Sequence, residues 1–311
     1  MRVISAAEVE AALDYPSLVE RLRQAFRRDF EVPVRHHHDV EVSGARSATL
    51  LLMPAWQVDR HVGVKMVTIF PDNGARSLPA VMGIYILLDG KTGSPLALVD
   101  GPTLTVKRTA AASALASGYL SRPDCERLLM VGTGAMAPQL ILAHAAVRPI
   151  CNVLIWGRDL DKAEKLAKRL TRRDFRVQAT DDLEAAARGA HIISCATLSE
   201  QPLIRGDWLQ PGQHVDLVGA FRPDMRESDD TAIERARVFV DTRGGAMSEA
   251  GDVLQAIAAG VLSEEDIAGD LFELTRGERS GRRYYDQVTL FKSVGTAIED
   301  LAAAQLVFER S

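Results

Sequence analysis

The sequence predicts an α/β protein in two parts, a mostly antiparallel sheet followed by a doubly wound parallel sheet. Three observations carry this. At 311 residues the chain is about twice the usual single-domain length. Between residues 32 and 99, short β-branched or apolar runs are broken by Pro and Gly clusters. After Pro123, strand-like runs alternate with segments of helical period, the pattern of a parallel sheet covered on both faces.

The elements follow in order. Asp14 and Pro16 mark a helix start, and Leu18, Leu22 and Phe26 then recur at every fourth position. Strands are predicted at Ala48–Met53, Val62–Ile69 and Val81–Leu88, with turns at Pro71-Asp72-Asn73-Gly74 and Asp89-Gly90-Lys91-Thr92-Gly93. An Ala-rich helix, about Thr103 to Leu120, closes this part. The later strands are Arg127–Val131, Asn152–Trp156, Arg176–Ala179, His191–Ala196, His214–Val218 and Val238–Asp241. Between two of them Ala163, Leu166, Ala167 and Leu170 share one helix face. A last helix, Ser293 to about Glu309, carries Val294, Ile298, Leu301 and Phe308 on one stripe.

Composition narrows the function classes. With 47% apolar and 25% charged residues the chain reads as a globular enzyme. A net charge of -5 without a basic run argues against a nucleic-acid or anionic-membrane partner. No apolar stretch approaches the roughly 18 residues of a membrane span, and Met1 to Asp14 does not read as a signal peptide. Cys125, Cys151 and Cys195 are odd in number and far apart, which suits reduced thiols in a cytoplasmic protein.

The chemistry begins at Gly132. Leu128-Leu129-Met130-Val131 runs into Gly132-Thr133-Gly134-Ala135-Met136-Ala137, a G-x-G-x-x-A turn between a strand and a helix. Gly132 makes the tight turn, Gly134 lets the backbone approach a pyrophosphate, and Ala137 lets helix and strand pack closely. The helix start offers N–H groups and a positive dipole end to the phosphates, and Pro138 fits its first turn. This is a dinucleotide-binding, Rossmann-type signature. The next strand ends Trp156-Gly157-Arg158-Asp159, with glycine where an acid would hold the ribose of NAD. Arg158 beside it suits the 2′-phosphate of NADPH, and NAD is the alternative.

Several further stretches are specific: Leu52-Met53-Pro54-Ala55, Gly63-Val64-Lys65, Lys107-Arg108-Thr109-Ala110-Ala111, Glu249-Ala250-Gly251-Asp252 and Thr289-Leu290-Phe291-Lys292-Ser293-Val294-Gly295. With the Gly132 turn they resemble the ornithine cyclodeaminase/mu-crystallin family along almost the whole chain. The resemblance implies a Rossmann doubly wound parallel sheet (121–289) inserted in an α+β substrate-binding and dimerisation domain (1–120 plus 290–311), and a homodimer. It places the substrate carboxylate and the chemistry on Arg35, Lys65 and Arg108, with Val294 also at the substrate. Cofactor contacts fall on Gly132, Gly134, Ala135, Met136, Arg158, Thr197, Val218, Gly219 and Ser293. A guanidinium fork matches a carboxylate bidentately, and a lysine can hold charge or give up a proton. Ser293 also fits an N-cap of the last helix.

One departure selects the reaction. The family's cyclodeaminases carry an aspartate shortly after the Val218-Gly219 pair, and Phe221 stands there in this chain. Phenylalanine moves no proton; Asp216 or Asp224 would have to replace it. The stretch resembles the ketimine-reductase branch instead, which implies NADPH-dependent reduction of Δ1-pyrroline-2-carboxylate or Δ1-piperideine-2-carboxylate to proline or pipecolate. The alternatives are an ornithine cyclodeaminase, an alanine or N-alkyl amino acid dehydrogenase, and a non-catalytic binding protein. No metal site is expected, because His36, His37 and His38 alternate across a strand and cannot converge on one ion. Asp181-Asp182 and Glu264-Glu265-Asp266 read as helix starts, and Arg172-Arg173 as a helix end.

Overall fold

The computed structural model describes residues 1–171 and 175–311; the helix end expected at Arg172-Arg173 lies outside the described residues. The chain runs β1 (Arg2–Ile4), α1 (Ala6–Ala12), α2 (Tyr15–Arg27), β2 (His36–Val40), β3 (Ala48–Gln57), β4 (His61–Ile69), β5 (Val81–Asp89), β6 (Pro95–Asp100) and α3 (Gly101–Leu120). It continues through β7 (Arg127–Val131), α4 (Met136–Val147), β8 (Asn152–Trp156), α5 (Leu160–Leu170), β9 (Arg176–Thr180), α6 (Leu183–Gly189), β10 (Ile192–Cys195) and β11 (His214–Leu217). It closes with α7 (Asp230–Arg235), β12 (Arg237–Val240), α8 (Arg243–Glu249), α9 (Gly251–Ala258), β13 (Gly269–Asp270), α10 (Leu271–Arg276), β14 (Thr289–Lys292) and α11 (Ala297–Arg310).

Two compact units result, Met1–Thr109 with Ala297–Ser311, and Ala110–Thr296. These limits differ from 120/121 and 289/290. The first falls inside α3, and residues 289–292 form β14 within the parallel sheet.

The first unit holds a sheet of order β1-β6-β5-β4-β3-β2, antiparallel except where β1 runs parallel to β6. Its helices start where the side chains allow. Ser5 and Glu8 form a capping box on α1, and the Asp14 carboxylate accepts from the Ser17 N–H with Pro16 in the first turn of α2. Asp89 Oδ1 accepts from the N–H groups of Lys91 and Thr92 and shapes the β5–β6 turn. Pro71–Arg76 is a short 3-10 helix rather than a simple turn. Pairing fixes the faces. Met53, Lys65, Tyr85 and Val99 lie opposite one another across β3–β6, and all are buried. Pro54, Val64, Ile86 and Leu98 form the corresponding row on the other face and are half-buried. The helix α11 is buried from Ala297 to Val307, all round rather than on one stripe.

The second unit holds a parallel sheet of order β13-β12-β14-β11-β10-β7-β8-β9. Its central strands β10, β11 and β14 are buried along their whole length, as strands covered on both faces must be. The strand order reverses at β7, which has β8 on one side and β10 on the other. Asp159 and Asp182 N-cap α5 and α6, while Glu264–Asp266 forms a 3-10 turn behind a Ser263 capping box. Ser293 does not cap α11. It precedes that helix by four residues, and its N–H donates to the Leu217 carbonyl, 3.1 Å away.

Candidate substrate and cofactor sites

On the buried sheet face of the first unit, the β4 side chain of Lys65 meets α11. Its Nζ lies 3.0 Å from Asp300 Oδ1 and 2.8 Å from Oδ2. Arg108 of α3 reaches the same carboxylate, Nε to Oδ1 at 2.9 Å, and its Nη1 donates to Glu299 Oε2 at 2.6 Å. All four side chains are buried. Unpaired charges would be too costly there, and the two acids supply the counter-charge. Burial, reinforced by the Arg108 charge, pulls the Lys65 ammonium down to about 8, against the opposing pull of Asp300. Burial alone would also lower Arg108, but Asp300 and Glu299 hold it above its ordinary value.

Tyr85, opposite Lys65, is fully buried, and its hydroxyl has no hydrogen-bond partner. Its ring occupies the space a Cβ at Gly63 would need, which explains the glycine two residues before Lys65. Arg35 stands just before β2, half-buried, and its positive charge also acts on Lys65. So Arg35, Lys65 and Arg108 are electrostatically connected within the first unit, and Val294 lies in the second. Asp300, Glu299 and Tyr85 were missed from sequence. The readable signal was a pair of adjacent acids within an Ala- and Leu-rich helix, in a chain that must neutralise two inward cations.

In the second unit, a cavity of about 330 Å³ opens at the C-terminal ends of β7, β8 and β10. Ligands of open α/β sheets bind where the strand order reverses. Gly132, Thr133, Gly134, Arg158, Lys162 and Thr197 are among its lining. Gly132 has φ +120°, and a Cβ there would stand 2.6 Å from the Ala196 carbonyl oxygen. A Cβ at Gly134 would meet nothing within 4 Å, so open space lies before that turn. Ala135 precedes Met136 at the start of α4 and offers no side-chain cap, while the Ala137 N–H donates to the Gly134 carbonyl at 3.2 Å. These features fit a dinucleotide pyrophosphate. A Cβ at Gly157 would lie 2.7 Å from Thr133 Cγ2, and Asp159 is engaged with the Lys162 N–H. Arg158 and Lys162 are exposed at the cavity; Lys162 is a cation the sequence reading passed over.

Val218, Gly219 and Ser293 follow β11 and β14. The Ser293 hydroxyl is buried without a hydrogen-bond partner, a donor suited to a ligand. Glu227, also missed from sequence, ties two strand-end turns together. Its Oε1 accepts from Thr197 N–H and Oγ1 at 2.6 and 2.8 Å, and its Oε2 from Gly219 N–H at 2.7 Å. Asp252 accepts from the N–H groups of Glu227 and Ser228, both at 2.9 Å, and lies 3.5 Å from Lys292 Nζ. The acid of the Glu249–Asp252 motif is thus a brace. Burial raises Glu227 to about 7, with Lys292 opposing and Asp252 reinforcing the shift.

Neither replacement for the acid at Phe221 is available. Asp216 is buried in the sheet and accepts from Ser113, Ser194 and His144. Asp224 is exposed and paired with Arg222. Phe221 itself is 43% exposed. Among the described residues no group of three His, Cys, Asp or Glu could hold a metal ion, and no helix is long and apolar enough to cross a membrane.

Comparison with known proteins identifies the family. The profile of the ornithine cyclodeaminase/mu-crystallin family matches residues 1–311. A Delta(1)-pyrroline-2-carboxylate reductase of Colwellia psychrerythraea is 39% identical over 319 residues, spanning 100% of this chain and 99% of that protein. The Thermococcus litoralis Delta(1)-pyrroline-2-carboxylate reductase, solved in complex with NADH and L-proline, superposes with a TM-score of 0.92. It is 31% identical, and the match covers 100% of this chain and 97% of that one. An archaeal alanine dehydrogenase dimer with bound NAD is 28% identical with a TM-score of 0.90, covering 100% and 95%. The chain belongs to the ornithine cyclodeaminase/mu-crystallin family.

Proposed function

We propose that this chain reduces the C=N bond of a small cyclic imino acid, Δ1-pyrroline-2-carboxylate or its six-membered homologue. The products are proline or pipecolate. The observation that carries this reading is the buried Lys65–Arg108 pair, its two charges matched by Asp300 and Glu299. The Delta(1)-pyrroline-2-carboxylate reductases of Colwellia and Thermococcus support it. Phe221, with Asp216 and Asp224 both engaged, disfavours deamination of ornithine.

Arg108 and Arg35 bind the substrate carboxylate and so present one face of the flat ring. Lys65 gives its proton to the ring nitrogen. The bound dinucleotide supplies hydride to the imine carbon. Gly132, Gly134, Ala135 and Met136 would hold its pyrophosphate, and Thr197, Val218, Gly219 and Ser293 would contact the remainder of the cofactor. NADPH is the preferred form, because Gly157 leaves no acid for a ribose 2′-hydroxyl while Arg158 and Lys162 offer two cations to a 2′-phosphate. The apolar outer sheet row of Pro54, Val64, Ile86 and Leu98 suits pairing with a second copy of the chain, and the archaeal relative is a dimer.

The test is NADPH oxidation with Δ1-pyrroline-2-carboxylate, beside an ornithine-plus-NAD reaction scored for proline. Oxidation in the first and none in the second is expected. Proline formed from ornithine would overturn the reading.

A further inference from the structure

Lys65 and Arg108 are held by α11, not by each other. Asp300 places both oxygens within 3.0 Å of Lys65 Nζ, and its Oδ1 also receives Arg108 Nε. Glu299 takes Arg108 Nη1. The remaining nitrogen, Nη2, donates to no protein group among the described residues. Arg108 is therefore held at Nε and Nη1, and Nη2 between them is the nitrogen left without a protein acceptor among the described residues.

We propose that Asp300 is a positioning residue for imine reduction. It keeps Lys65 as an ammonium aimed for proton donation, and with Glu299 it fixes Arg108 so that Nη2 is left to the substrate carboxylate. The inference rests on the reductase reading. In the step, hydride from the reduced nicotinamide forms a C–H bond at the imine carbon. The C=N π pair forms a new N–H bond with the Lys65 proton. Lys65 is left neutral and regains its proton from solvent, while the nicotinamide is oxidised by two electrons.

The charges around Lys65 make Asp300 necessary. Arg108 on α3 and Arg35 before β2 both disfavour the ammonium, as does burial. Tyr85 on β5 faces the group without a hydrogen bond of its own, and Glu299 on α11 is occupied with Arg108. Asp300 is the acid that stabilises the protonated lysine by charge and by hydrogen bond. Without it, the proton leaves at lower pH.

The experiment compares wild type with Asp300→Asn in the full chain. Three readouts are taken: the pH profile of kcat/KM, the Lys65 Nζ titration by ¹⁵N NMR, and NADPH affinity by fluorescence without imine. In wild type the alkaline limb of kcat/KM falls near pH 8. In Asp300→Asn the limb and the titration both move down by at least about one pH unit, kcat/KM at pH 8 drops about fivefold or more, and NADPH affinity stays within about twofold. An unmoved limb and titration overturn the proposal. If Asp300→Asn does not fold, Asp300→Glu decides. It keeps the charge but shifts the carboxylate, so kcat falls while the limb stays; full kcat overturns the proposal. A wild type inactive on imines counts against the reductase reading, and the Lys65 titration still judges Asp300.

Discussion

Removing the two cations at the tip of β8 is expected to erase a preference for NADPH. Arg158 and Lys162 border the cavity beyond Gly157, and both are exposed, with the Lys162 side chain 69% accessible. A charge-assisted contact contributes roughly 1.5–3 kcal/mol. Exposure puts each of these at the low end, about 1.5 kcal/mol or about tenfold in affinity. Lys162 is also 3.5 Å from Asp159, so part of its charge is already answered. Arg158→Ala with Lys162→Ala should thus lower kcat/KM for NADPH by roughly thirty- to a hundredfold and leave NADH nearly unchanged. Building the opposite preference needs an acid at 157, and Gly157→Asp alone would press its Cβ on Thr133 Cγ2 at 2.7 Å. Thr133→Ser removes that methyl, so the double change should raise kcat/KM for NADH where the single change fails. The assay is initial-rate oxidation of each cofactor with saturating imine. A NADPH-to-NADH ratio unchanged by the loss of both cations would refute the reasoning.

Two other perturbations test the second unit. Gly132→Ala forces an L side chain into φ +120° against the Ala196 carbonyl. It should cost about 2 kcal/mol of stability and weaken cofactor binding at least tenfold, read by denaturant melts and fluorescence titration; unchanged binding would mean the turn does not hold the dinucleotide. Asp216→Asn tests the buried network of Ser113, Ser194 and His144. Burial pushes the Asp216 carboxyl up, but the His144 hydrogen bond and charge, with Ser194, bring it below the ordinary aspartate value. A depressed folded value contributes stability above about pH 3.9 that is lost as pH falls through it. Unfolding free energies of wild type and variant from urea melts should accordingly differ by about 2–3 kcal/mol at pH 7 and converge toward pH 3. An equal gap at both pH values would remove the electrostatic explanation.

Much of this was legible before the structure because it is local. The Asp14 cap, the Asp182 cap, the face of Ala163, Leu166, Ala167 and Leu170, and the strands β4, β5, β7 and β8 follow from periodicity and turn chemistry. What was not legible is what only pairing decides. β14, a four-residue strand, lies between β11 and β12, yet Thr289–Lys292 alone is too short to show a period. α11 is buried on every side, so a one-stripe reading misplaced its start at Ser293 and passed over Glu299 and Asp300. Lys65 was visible because a cation in an apolar strand demands an answer; the answering acid lies 235 positions away.

The route of the backbone has a consequence for assembly in the cell. Unit two is complete by Thr296, whereas unit one still awaits Ala297–Ser311. A chain emerging from the ribosome in sequence order can close the dinucleotide fold first. Until α11 arrives, Lys65 and Arg108 have neither of their acids, and the face that buries them has lost a cover. Helix α11 therefore completes both the packing of the first sheet and the charge balance of its cations, so a product cut at Thr296 would carry the parallel-sheet unit while Lys65 and Arg108 lacked their acids.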